Sequence, residues 1–170
     1  MYPNGERTAA KHSSRILTTR SLTKAYGLNT LQMGWIIAEP ILAEKLRKLL
    51  DLFIPTMASP SEQLGLLILE KADELLEKNI SQLNYNFKLV EDFISNHETL
   101  TWEKPQFGSI GFVKYAGGNV DMLASYLAEK YDTIISPGHF FGAPEYFRIG
   151  WGLPTDTLEK GLENLGKVID

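Results

Sequence analysis

Three observations predict an α/β fold. Two short runs with strand character, 15–19 and 32–38, bracket a glycine-containing connection; apolar residues at helical spacing fill the middle of the chain; and strands alternate with helices from residue 99 onward. Residues 2–14 come first and carry turn chemistry, Pro3-Asn4-Gly5 and Ser13-Ser14, without apolar periodicity, which reads as a loop. The runs Arg15-Ile16-Leu17-Thr18-Thr19 and Gln32-Met33-Gly34-Trp35-Ile36-Ile37-Ala38 then supply the β-branched and apolar residues that strands favour. Ser21-Leu22-Thr23-Lys24-Ala25-Tyr26-Gly27 lies between them, at the end of a sheet, where enzyme chemistry is often held.

Pro40 suits the first turn of a helix, and Ile41, Leu42, Leu46, Leu49, Leu50 and Phe53 follow at helical spacings until Pro55 ends the pattern. Ser59-Pro60 restarts it with a capping serine. The apolar series Leu64, Leu67, Ile68, Ala72, Leu75, Leu76, Ile80, Leu83, Phe87, Val90 and Ile94 then predicts one long helix, or two with a bend. Beyond it, 101–103, 109–115, 133–135 and 146–149 read as strands. A helix capped by Asn119 or Asp121 runs through Lys130, and another covers 156–168, which together suit a small sheet with helices on one face. Gly117-Gly118 lacks the rest of any phosphate-loop pattern and reads as a plain turn.

With 44% hydrophobic and 22% charged residues, the 170-residue chain is able to bury a core. Its net charge of −4 and the mixed signs of Glu44-Lys45-Leu46-Arg47-Lys48 argue against a nucleic-acid surface; that run reads as the solvated face of a helix. No cysteine is present, so disulfides, thiolate metal sites and a cysteine nucleophile are excluded. His12, His97 and His139 show no ligand spacing, and no metal is expected. The polar Met1–Arg7 segment has no apolar signal core and no stretch reaches the ~20 apolar residues that span a bilayer, so a cytoplasmic protein without membrane contact is expected.

Lys24 is the residue with the most distinctive chemistry. A neutral lysine forms a Schiff base with a carbonyl, and desolvation or a nearby cation is what makes it neutral. Ser21 and Thr23 supply hydroxyl donors beside it, and Tyr26 an aromatic shield. Composition alone leaves Lys24 a surface residue like most lysines.

The segment as a whole is more specific. Ser21-Leu22-Thr23-Lys24-Ala25-Tyr26-Gly27-Leu28 followed by Met33-Gly34-Trp35 resembles the cofactor-lysine motif of the class I/II aminotransferases, the fold-type I pyridoxal-phosphate enzymes. Downstream, Ser136-Pro137-Gly138-His139-Phe140-Phe141-Gly142 and Glu145-Tyr146-Phe147-Arg148-Ile149-Gly150 resemble that family's C-terminal turn and carboxylate-binding arginine, in the correct order.

The resemblance implies the C-terminal part of the fold-type I architecture. Residues 1–58 would close the large cofactor-binding domain, 59–97 would form a linking helix, and 98–170 a small α+β domain. It implies pyridoxal 5′-phosphate joined to Lys24 as an internal aldimine, with Lys24 also moving the proton at the substrate's α-carbon. Ser21 and Thr23 would donate to the cofactor phosphate, and Arg148 would hold the carboxylate of an α-amino acid or 2-oxo acid substrate. His139 and Phe140 would line the pocket, and Gly138 would serve the backbone of the turn. Gln32 departs from the family, which carries an arginine at that position, and replaces a charge-assisted phosphate contact by a neutral one. The family's remaining cofactor contacts lie upstream of the lysine and have no counterpart among these residues, so the 170-residue chain is expected to be inactive alone and the complete protein a homodimer. Other fold-type I chemistries (decarboxylase, lyase or synthase) and a non-catalytic binding remnant remain open alternatives.

Overall fold

The computed structural model describes residues 9–23, 26–28, 31–53 and 59–169. The chain divides into two compact units, Met1–Ile80 and Ser81–Asp170. The division falls inside a helix.

In the first unit, part of the segment read as a loop, Ala9–His12, forms a 3₁₀ turn. β1 (Thr18–Ser21) and β2 (Gly34–Ile37) pair antiparallel, with Ser21 opposite Gly34, and one further rung joins the Leu22 N–H to the Met33 carbonyl at 3.0 Å. Leu22 is fully buried. Helix α1 (Pro40–Phe53) starts where Glu39 accepts a hydrogen bond from the Leu42 N–H at 3.4 Å. The long helical stretch is two helices, α2 (Ser59–Glu70) and α3 (Ala72–Ser95), with Lys71 as a turn between them. Pro55 lies outside the described residues.

The second unit contains the C-terminal part of α3, followed by β3 (Leu100–Trp102), β4 (Ile110–Tyr115), α4 (Val120–Tyr131), β5 (Ser136–Pro137), a 3₁₀ turn (Gly138–Phe141), β6 (Tyr146–Gly150) and α5 (Thr155–Ile169). The sheet is antiparallel in the order β3-β4-β6-β5. Its inward residues Leu100, Val113, Phe147 and Ile149 join Val90 and Ile94 of α3, Leu123 and Leu127 of α4, and Leu158, Leu162 and Leu165 of α5 in one core, so the helices cover one face. Full burial of a side chain such as Phe147 stabilises the fold by about 1.5–3 kcal/mol. Gly111 lets two indoles approach β4, since a Cβ there would lie 2.9 Å from Trp102 and 3.2 Å from Trp151. Those rings meet edge to face at 6.2 Å.

Asn119 is the cap of α4, its Oδ1 accepting from the Met122 N–H at 3.0 Å. Residues 133–135, predicted as a strand, are irregular. The Thr133 N–H bonds to the Leu127 carbonyl and its hydroxyl to the Tyr131 carbonyl, so the exit of α4 takes the groups a strand would need, and pairing begins only at Ser136.

Candidate functional site

The predicted site residues occupy two places, one in each unit. In the first, the β1–β2 ribbon presents Ser21 and Thr23, both half-buried, from one strand end. Gln32 leads into the other strand, exposed, with a left-handed backbone of φ 50°. One Leu22–Met33 hydrogen bond joins the two segments just beyond the ladder, and the Leu22 carbonyl turns away to accept from the Leu28 N–H at 3.2 Å. Two hydroxyls and a carboxamide are thus gathered at one end of a short ribbon. All three donate hydrogen bonds, which fits a phosphate ester, and none carries charge. Lys24 lies outside the described residues.

Met33 also explains a glycine that no motif marked. A Cβ on Gly65 of α2 would overlap the Met33 sulfur, so Gly65 forms the notch in which this side chain sits. Gly65 is buried between exposed Leu64 and Leu66.

In the second unit, Arg148 stands on the sheet face that the helices leave open. It faces Phe112 across the β4–β6 pair and Ser136 across the β5–β6 pair. Its guanidinium lies 5.3 Å from the ring centre of Phe141, and Nη2 donates to the Ser136 hydroxyl at 3.4 Å. Among the described residues it has no carboxylate partner. Phe112 stacks on Tyr146 at 5.3 Å with planes 6° apart and meets Phe141 edge-on at 5.5 Å. Together they line an open groove of about 940 Å³ that also reaches Lys114 and Ile110.

The turn before Arg148 has a steric cause. A Cβ on Gly138 would overlap the carbonyl oxygens of Ala143 and Tyr146, which makes Gly138 the backbone requirement its sequence suggested. His139 and Phe140 do not line the groove, contrary to expectation. His139 instead pairs with Asp121 of α4 at 2.5 Å and meets the exposed Phe140 ring at a tilt, and Phe141 is the one that reaches the arginine. Trp151 is core, 1% exposed, its indole N–H donating to the Gly108 carbonyl. Among the described residues no three metal-ligating side chains cluster, and no helix is long and apolar enough to cross a membrane.

Comparison with known proteins places the chain in one family. The family described as aminotransferase class I and II matches residues 2–165. Capreomycidine synthase of Streptomyces vinaceus is 27% identical over 87% of this chain and 39% of its own length. Histidinol-phosphate aminotransferase 2 of Haemophilus influenzae is 26% identical over 94% of this chain and 41% of its own. A PLP-dependent aminotransferase of known structure from Streptococcus suis 89-1591 superposes with a TM-score of 0.86 at 25% identity, covering 92% of this chain and 43% of that one. The chain spans about two fifths of the length of the curated relatives it matches.

Proposed function

The chain belongs to the aminotransferase class I and II family, and on that premise we propose that it carries the cofactor lysine, Lys24, and the substrate-carboxylate arginine, Arg148, of an enzyme that moves an amino group between an α-amino acid and a 2-oxo acid. The observation that carries this reading is Arg148: a guanidinium held by an aromatic face and a hydroxyl, yet without a carboxylate partner among the described residues. Such a fork binds a carboxylate through two parallel N–H···O bonds.

Pyridoxal 5′-phosphate, when bound, supplies an electrophilic carbon and an electron sink. This chain would supply part of the binding and the proton transfer. Ser21 and Thr23 donate to phosphate oxygens, and Gln32 adds a neutral donor where the family carries a cation, which weakens the hold on that group. Lys24, as the free amine, would take the proton from the α-carbon of the amino-acid donor and, in the return half of the reaction, deliver one to the α-carbon of the 2-oxo acid. We assign residues 1–58 to the end of the large domain, 59–97 to a linking helical segment and 98–170 to the small domain. The complete protein is read as a cytoplasmic homodimer, and the 170-residue chain alone as inactive.

The test is to incubate the chain with pyridoxal phosphate, reduce with borohydride and map the pyridoxyl group by peptide mass spectrometry, with Lys24→Ala as control. A stoichiometric adduct on Lys24 is expected. Labelling concentrated on another lysine overturns the assignment of Lys24, whereas scattered or absent labelling shows that the 170-residue chain forms no site by itself.

A further inference from the structure

The surroundings of Arg148 carry a statement about side-chain selectivity. Phe112, Phe141 and Tyr146 form one continuous aromatic cluster on the open sheet face, and the guanidinium rests on one of its members. Cation and rings are therefore a single surface. Phe112 and Tyr146 come from neighbouring strands, and Phe141 from the turn whose backbone Gly138 fixes, so the cluster is set by the sheet register and that turn together. These rings are only partly covered: Phe141 is 51% exposed and Phe112 and Tyr146 are half-buried. The groove they line holds about 940 Å³, ample for a ring the size of a phenyl group.

We propose that this groove selects carboxylic acids with an aromatic side chain, the carboxylate taken by Arg148 and the ring packed against Phe112, Phe141 and Tyr146. The inference rests on reading Arg148 as the carboxylate-binding arginine and adds the class of amino acid and 2-oxo acid the site prefers. Offset or edge-to-face aromatic contacts favour a flat π ring over a chair-shaped aliphatic ring of similar size. The neighbouring strand position sets Lys114 with its ammonium 6.0 Å from the Tyr146 ring, which keeps the far end of the groove polar and favours a ligand whose apolar part ends at the aromatic cluster.

The probe is 3-phenylpropionate, which has neither the amino nor the keto group of a substrate and so engages Arg148 and the groove without Lys24 or cofactor. Its binding to the full chain is followed by amide shifts of residues 112, 141, 146 and 148, beside butyrate and 3-cyclohexylpropionate. Binding about tenfold tighter than butyrate is expected from the added ring contacts, with shifts confined to the groove. Arg148→Gln should abolish saturation while leaving the remaining amide spectrum unchanged, and Phe112→Leu should weaken the phenyl probe about fivefold and butyrate hardly at all. Equal affinity for butyrate and 3-phenylpropionate overturns the proposal. So does 3-cyclohexylpropionate binding as tightly as the phenyl probe, which would make the groove merely apolar. Failure of all three acids to bind overturns the reading of Arg148 on which both proposals rest, whereas binding of all three with equal affinity overturns the selectivity of the groove alone.

Discussion

The two units treat the same kind of amphipathic helix in opposite ways. In the second unit, the helices α3, α4 and α5 set their apolar stripes against the sheet, and Val90, Leu127 and Leu165 are buried to 2% exposure or less. In the first, α1 carries a stripe as regular in sequence and α2 a nearly continuous apolar run, 64–69, yet Leu52 is 76% exposed, Phe53 80% and Leu67 60%. Among the described residues of that unit, Leu22 is the large apolar side chain that is fully buried. Helical spacing shows which residues share a face. It does not show whether that face is covered, and only the sheet of the second unit supplies a cover within the unit itself.

The largest effect that would break this contrast is a core truncation. Phe147→Ala removes a fully buried ring from β6 and is expected to cost about 3–5 kcal/mol in chemical denaturation. Leu67→Ala, in the exposed apolar run of α2, should stay within about 0.5 kcal/mol. Similar costs for the two would mean that α2 is packed after all and that the units are alike.

A buried polar side chain gives the next test. Asn86 of α3 is fully buried, donates to the carbonyls of Trp151 and Leu153, each at 2.9 Å, and accepts from the Thr155 hydroxyl at 2.8 Å. It ties the end of β6 to the start of α5. Asn86→Leu leaves two carbonyls and a hydroxyl without that partner, so a loss of about 1–3 kcal/mol is expected. Thr155→Val, which removes one of the three bonds, should cost less. The order of the two, read from midpoints at constant slope, decides whether the carbonyls or the hydroxyl matter more.

Much of this architecture is legible in the sequence, where the signal is local. Asn119 is found as a cap because its side chain serves a backbone group three residues on, and the start of α2 is found at Ser59-Pro60 because proline at a first turn leaves its mark within a few positions. The strand expected at 133–135 is absent because β-branched residues signal a strand locally, while the exit of α4 claims the same backbone groups. The candidate site divides in the same way. Arg148 is recognised by its own neighbours in sequence, but Phe112 and Ser136 stand beside it through strand register, and Met33 meets Gly65 through packing between elements. No local pattern encodes such pairs.

Glycine-to-alanine substitution sharpens the contrast at smaller scale, because the same change should have opposite signs in two helices. Gly161 of α5 has open space where a Cβ would go, so Gly161→Ala should stabilise the second unit by about 0.5–1 kcal/mol through helix propensity. Gly65→Ala gains the same propensity in α2 but must displace Met33 from its notch, and with it the Leu22–Met33 hydrogen bond. Net destabilisation is expected, relieved by adding Met33→Ala. A stabilising Gly65→Ala would show that the notch does not constrain the ribbon.

The smallest effect lies on the surface of α5 and depends on pH. Lys167 holds the Glu163 carboxyl below its ordinary value of 4.5, chiefly through their hydrogen bond at 2.6 Å and then through charge attraction. Because the folded value is the lower one, the pair's contribution is complete above about pH 4.5 and is lost as pH falls through the folded value. Lys88 has the opposite sign: Asp92 raises it above 10.5, so its contribution is complete below that pH and disappears as pH rises through the raised value. Both groups are open to solvent, where salt screens such pairs and their contribution to stability is slight. Carboxyl carbon shifts should show the Glu163 titration midpoint moving up in Lys167→Gln and, in the unsubstituted chain, moving the same way in high salt. A midpoint indifferent to both would mean that the pair is not formed in solution.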